Sequence, residues 1–400
     1  MSMNRSLAVA ALIAAPAALA AKVVAPCPAP EKSIRKGEFD QRCAPQEGRC
    51  AEGRAVAQGR GGPTCAPCLG GSCRGGLRIA VIGDIDEAGQ RLATERVAAL
   101  VHHYAADHIL TLGDNLYPKH GSKGYARSIG TFYSSYIAGK RGHEGENRFW
   151  PSPGNHDYEL SKPRALTEYF KYFSKVGDNY AACVREPDKC LPAYEARLGS
   201  LRVISINSGY HCNSGPRDEK NPLCKPTAPD DWLRDPSGRQ GQWLKARLAA
   251  GPACFNLVFF HHPPHDSGCW EVPSMRWPFK EWGMDVVLAG HEHFYERLSD
   301  GDLRYFVVGT AGAKVHHFRN HRYVQTDYRN AHKNCDRKQP AAATRSPHSK
   351  AQIAGEHGAL FLELREGELS FHFVAIDRDA QGRIRYRERD RDAIRKTCAP

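Results

Sequence analysis

The stretch Asp285-Val286-Val287-Leu288-Ala289-Gly290-His291-Glu292-His293 joins a short β-branched apolar run, through one glycine, to two histidines two positions apart. A run this short suits a buried strand, and the polar break suits the loop at its carboxyl end. The same design recurs upstream. LRIAVIGDID (77–86), HILTLGDNLY (108–117), FWPSPGNHD (149–157) and NLVFFHH (256–262) each set Asp, Asn, Tyr or His just past an apolar run. Helical patterns lie between them. Gln90–Ala106 puts Leu92, Val97, Leu100, Val101 and Tyr104 on one face, and Arg239–Ala250 does so with Trp243, Leu244 and Leu248. Strand alternating with helix argues for an α/β fold. In such folds ligands bind beyond the carboxyl ends of the strands, so all five loops converge on one crevice.

Taken singly, each loop has an ordinary explanation: an Asp at a strand end caps a following helix, and a lone His is a surface or hydrogen-bonded one. Five such loops in one chain make a metal site the better account. The donors are oxygens and imidazole nitrogens, which suit Fe, Zn or Mn. Gly83, Gly113, Gly154 and Gly290 each precede the first donor of their loop, where a glycine permits the sharp turn that points a donor back over the sheet edge.

The ordered set GDID, GDNLY, GNHD, VFFHH and GHEH resembles the five-block signature of calcineurin-like metallophosphoesterases. Tyr117 and the phrase GHEHFYER (290–297) resemble the purple acid phosphatase branch. PSPGNHDY (151–158), FFHHPP (259–264) and WPFKEWGMDVVLAGHEH (277–293) are similar to its exported bacterial members. The resemblance runs from Leu77 to Ile376, apart from the polar, basic stretch Arg319–Ala354, which reads as a long surface insertion. It implies a four-layer α/β/β/α sandwich and two metal ions. Asp84, Tyr117 and His293 would bind the first metal, expected to be Fe(III) because a phenolate favours a hard trivalent ion. Asn155, His261 and His291 would bind the second, Fe(II), Zn or Mn, and Asp114 would bridge the two. The chain departs from the branch at Asp86, where a Gly is usual. Asp86 is read as a cap for the next helix, with an extra ligand or an outer acid as alternatives. His262 is left for an outer position or for the substrate.

Such a pair of cations, ~3.5–4 Å apart, clamps a phosphoryl oxygen and acidifies water for in-line attack on phosphorus. His156, beside Asn155, is expected to protonate the leaving alkoxide, Asp157 to orient this region, and His265 to contact the phosphate. Glu296 and Arg297 are expected to pair structurally. The implied activity is an acid phosphatase-like hydrolysis of phosphorylated small molecules. A phosphodiesterase or nucleotide hydrolase on the same site is one alternative, and a surface-binding protein with a degenerate site is another. The second of these needs a lost ligand, and all seven are present.

Composition bounds the setting. The 400 residues carry a formal charge of +12, but basic residues are scattered among acids and form no nucleic-acid-binding motif. Residues 1–20 read as a signal peptide, with Arg5, the apolar run Leu7–Ala15 and the Ala18-Leu19-Ala20 cleavage signal. No other segment is long and apolar enough for a transmembrane helix. All 14 Cys follow Ala20, an even number that agrees with a secreted or periplasmic, oxidising location. Cys27, Cys43, Cys50, Cys65, Cys68 and Cys73 fall within residues 21–76, a stretch poor in large apolar residues. It reads as a small disulfide-rich module of unknown partner ahead of a catalytic domain over residues 77–400. Cys183–Cys190 and Cys212–Cys224 are the expected local disulfides.

Overall fold

A computed structural model of the chain describes residues 54–59, 62–67, 69, 76–118, 124–140, 145–160, 166–185, 190–209, 233–251, 253–268, 270–318 and 346–398. Among the described residues, fifteen strands run in chain order: β1 (Arg54–Gly59), β2 (Gly62–Pro67), β3 (Leu77–Ile82), β4 (His108–Leu112), β5 (Phe149–Ser152), β6 (Tyr194–Leu198), β7 (Leu201–Ser205), β8 (Phe255–Phe259), β9 (Val286–Ala289), β10 (Tyr295–Asp300), β11 (Leu303–Val308), β12 (Ser349–Ile353), β13 (Gly358–Arg365), β14 (Glu368–Arg378) and β15 (Ile384–Arg395). The first two pair with each other. The rest form a seven-stranded sheet, β12-β10-β11-β9-β8-β7-β6, and a six-stranded sheet, β15-β14-β13-β3-β4-β5.

Side-chain alternation stacks these sheets. In β8, Leu257 and Phe259 join the large core between the sheets, while Val258, and Phe260 just past the strand, join a smaller core on the outer face. In β11, Phe306 and Val308 point inward, and Tyr305 and Val307 outward. The outer core takes Leu244 from a helix over Arg239–Ala249, together with Met275, Trp277 and Phe279. A helix over Arg91–His103 brings Val97, Leu100 and Val101 against the six-stranded sheet. The result is the expected four-layer α/β/β/α sandwich. Leu92, assigned to the buried face of its helix, is instead 50% exposed.

Near the C terminus the apolar runs Ala359–Leu364 and Leu369–Ile376, which read in the sequence as an antiparallel hairpin about Arg365–Glu368, are β13 and β14, closed by Glu366-Gly367 between the paired Arg365 and Glu368, and Gly367 takes the left-handed φ of 67° that the tight turn requires. Its neighbour β15 alternates charges and was not legible as a strand. Its carboxylates reach the other sheet, Asp390 to Arg297 at 2.7 Å and Asp392 to Arg304 at 2.7 Å. Arg297 is therefore structural as expected, but its partner is not Glu296, which accepts from Ser267 and Gln352. The insertion read over 319–354 ends earlier than expected, because β12 pairs with β10 inside the seven-stranded sheet. Residues 319–345, the leader at 1–20 and Cys212–Cys224 lie outside the described residues.

Cys183–Cys190 forms as expected, and a second disulfide joins Cys254 to Cys398, 144 positions apart. Leu69, from the cysteine-rich stretch, is buried in the main core. Among the described residues, no helix is long and apolar enough to cross a membrane.

Candidate metal centre

The parallel trio β3-β4-β5 and the parallel pair β8-β9 end at the same edge of the sandwich. Backbone bonds stitch the loops there: Asp84 N–H to Gly113 O, Ile85 N–H to Asp114 O, Gly290 N–H to His261 O and Ala313 N–H to Asp84 O. The two sheets are thereby joined where the donors emerge.

Two three-residue clusters form. In one, the Tyr117 hydroxyl lies 3.0 Å from Asp84 Oδ1 and 3.1 Å from His293 Nε2, and His293 Nε2 lies 3.3 Å from Asp84 Oδ1. In the other, His261 Nε2 lies 3.0 Å from Asn155 Oδ1 and 3.2 Å from His291 Nδ1. Asp114 stands between them: its Oδ2 is 3.2 Å from His261 Nε2, and Asp84, Asp114 and His261 offer atoms within 4.8 Å of one another. All seven expected ligands are thus brought together.

The donor set fits cations. His261 Nδ1 faces Leu112 O at 2.8 Å, and His293 Nδ1 faces Lys314 O at 2.9 Å. A carbonyl only accepts, so each Nδ1 carries a proton and Nε2 is the ring nitrogen turned inward, the one that can offer a lone pair to a metal. There it meets carboxylate, amide and phenol oxygens, a set of donor atoms grouped as around a cation. The charges say the same. Burial opposes a charge on His261, yet the Asp114 carboxylate raises it to about 9. Burial likewise opposes the Asp114 carboxylate, yet His261 and His156 hold it at about 2. Burial, then the charges of Asp84 and Asp114, push the Tyr117 phenol well above its ordinary range. Positive charge is what this pocket lacks.

Backbone strain concentrates here as well. Asp84, Asp114 and His291 hold φ of 62°, 46° and 70°, a left-handed conformation that costs non-glycine residues of order 1–3 kcal/mol each. The glycines before the donors act differently from the expectation. Only Gly113 takes a positive φ, 89°. Gly154 is needed for close approach: a Cβ there would fall 2.2 Å from Asp114 Oδ1.

His156 sits at the mouth. Its N–H donates to Asp114 Oδ1 at 2.8 Å, its Nδ1 is 3.1 Å from Glu159 Oε2, and its Nε2 is 3.9 Å from Asp114 Oδ2. Burial opposes its charge, but Asp114 and then Glu159 raise its pKa above the ordinary histidine value. Asp157 is buried below and accepts from Gly154 N–H at 2.7 Å, Tyr125 O–H at 2.9 Å and the Asn115 amide at 3.1 Å. Burial and the nearby Asp114 charge lift its carboxyl to about 7. His265 is a correction. Its ring packs on Tyr305 and His348 at 5.2 and 5.5 Å, away from the donors, and burial, then Arg276, lower it to about 3. Asp86 does not cap the helix either: Gln90 holds that position, and Asp86 pairs with Arg91 at 3.0 Å.

Sequence reasoning passed over three contributors. Glu159 was legible in principle, three residues beyond His156. Lys314, whose carbonyl fixes His293, and His316, stacked on His293 at 4.2 Å, had no signal, because they follow β11 rather than an apolar run bearing donors.

A family model described as calcineurin-like phosphoesterase matches residues 77–295. Two uncharacterized proteins of Mycobacterium tuberculosis, MT2654 and Rv2577, are each 25% identical over 284 residues, covering 68% of this chain and 44% of theirs. The matched region thus spans less than half the length of these curated relatives. Among solved structures, GAP50, described as the anchor in the inner membrane complex of Plasmodium, has a TM-score of 0.47 at 14% identity, over 81% of this chain and 90% of that one. PhoD has a TM-score of 0.45 at 12% identity, over 84% and 72%. At these scores neither likeness bears on function.

Proposed function

Because the chain belongs to the calcineurin-like phosphoesterase family, we propose that it is an exported, two-metal phosphomonoesterase of the acid phosphatase type. The observation that carries this reading is the pair of donor clusters on either side of Asp114. Asp84, Tyr117 and His293 would hold the first cation, Fe(III). Asn155, His261 and His291 would hold the second, Fe(II), Zn or Mn, and Asp114 would serve both. When bound, such a pair neutralises phosphoryl charge and acidifies water.

The chain's own residues would do the remaining work. His156, its Nδ1 on Glu159, presents Nε2 to the crevice and donates a proton to the leaving alkoxide. Asp157 ties the Asn155–His156 turn to Tyr125 and Asn115 and so fixes where that proton is delivered. The disulfides Cys183–Cys190 and Cys254–Cys398 support export. Monoester preference is tested with a mono- and a diester of one chromogenic phenol, alongside metal analysis of the purified protein. The wild type should carry two metals and prefer the monoester. Asp114→Asn should lose metal and turnover together, because one carboxylate serves both cations. A variant with wild-type activity and two bound metals would refute the bridging role.

A further inference from the structure

His262 is the feature of the crevice that the seven donors leave unexplained. It follows a strand whose alternation would send it away from His261, yet it is fully buried, and its ring lies 4.9 Å from that of His261 and 4.6 Å from that of His291. His261, His262 and His291 each offer a ring nitrogen within 4.8 Å of the other two, so an ion at their centre would start no more than about 2.8 Å from any of them, and each ring would move in by less than about 1 Å to reach Zn–N bonds of about 2.0–2.1 Å.

The ring is also held in the manner of a ligand. Its Nδ1 is 2.8 Å from Ser208 Oγ, and the same oxygen accepts from the His262 backbone N–H at 3.1 Å. Ser208 is itself fully buried, and Arg234 Nε donates to its carbonyl at 2.7 Å. A histidine that ligates through one nitrogen characteristically engages a fixed partner with the other, which sets its tautomer and ring angle. With Nδ1 held by Ser208, Nε2 is the nitrogen that would ligate.

We propose that His262 is a further protein ligand of the second cation, positioned by Ser208. This rests on the two-metal reading above and extends it. The second position then has three imidazoles, from His261, His262 and His291, beside Asn155 and Asp114, whereas the first has one imidazole, a phenol and carboxylates. Three imidazoles favour Zn or Fe(II) over Mn and Mg, so the two positions are sorted by donor chemistry.

The test uses the full chain stripped of metal and titrated with Zn, with calorimetry for affinity, metal analysis for stoichiometry and X-ray absorption for the number of imidazoles at zinc. Wild-type protein that binds no pair of metals would remove the two-metal reading itself, and this proposal with it. If the wild type binds two, His262→Ala should weaken one zinc by more than 10-fold, leave the other in place and reduce the imidazoles at zinc by one. Ser208→Ala should weaken the same zinc by about 10–100-fold with the imidazole count unchanged. His262→Gln and a melting curve of each metal-free variant guard against a folding defect. The proposal is overturned if His262→Ala binds both zincs with wild-type affinity or an unchanged imidazole count. It is overturned equally if both zincs weaken together in step with a loss of stability of the metal-free fold.

Discussion

Gly154→Ala offers a stringent test of the centre, because it adds one methyl group and no charge. The backbone of Gly154 lies outside the left-handed region, so alanine costs nothing in conformation. The cost is steric. Its Cβ would stand 2.2 Å from Asp114 N, 2.2 Å from Asp114 Oδ1 and 2.9 Å from Asp114 Cγ. Against ordinary non-bonded separations of about 3.5 Å, the deficit at the carboxylate is about 1 Å. Asp114 is pinned by His156 N–H at 2.8 Å and by His261, so either the carboxylate or the Asn155–His156 turn must shift by roughly that amount. Overpacking of this kind costs about 1–3 kcal/mol. A misplacement of about 1 Å at a reacting centre costs turnover about 10²-fold. The assay is steady-state hydrolysis of a chromogenic phosphomonoester, with metal content and the melting temperature of the metal-free protein measured on the same preparation. The expected result is a folded protein, a few degrees less stable, with about 10²-fold lower kcat and weakened retention of both metals. Wild-type kcat and full metal content in a folded Gly154→Ala would refute the placement of Asp114 at the heart of the site.

Three further outcomes follow from the same geometry. His156→Ala should keep its metals yet lose about 10²–10⁴-fold in rate on poor leaving groups, with a smaller loss where the leaving group needs no proton; an equal loss across leaving groups would show that His156 is not the donor. Tyr117→Phe in iron-loaded protein should abolish the broad visible phenolate-to-iron band, and a band that persists unchanged would exclude Tyr117 as its source. His265→Gln should retain turnover within a few-fold, because that ring lies against Tyr305 and His348. With a folded pKa of about 3 against about 6.5 unfolded, the unfolded chain binds the extra proton in that window. Stability is then full above about 6.5 and falls by as much as ~5 kcal/mol toward about 3; denaturation midpoints of His265→Gln should lose this acid slope, and an unchanged slope would count against the assignment.

Sequence alone settled whatever depends on local spacing. Apolar runs that end in a polar residue gave the strands, and their endings gave Asp84, Asp114, Tyr117, Asn155, His261, His291 and His293, all of which the fold gathers. The β13–β14 hairpin and Cys183–Cys190 were legible for the same reason, since each closes within a few residues. Tertiary structure decided what depends on partners far away in the chain. The charged alternation of β15 is a strand because Asp390 and Asp392 meet Arg297 and Arg304 across the sandwich. Cys254 meets Cys398 only once β15 has brought the C-terminal segment back. His265 follows His261 by four residues yet turns away, because loop backbone has no fixed period to carry a side chain to one face. Lys314 and His316 reach His293 by way of the backbone bonds that join the two sheets. Even the glycines changed meaning: sequence marked their positions, but only the distance from Gly154 to Asp114 shows that the requirement there is space rather than a turn.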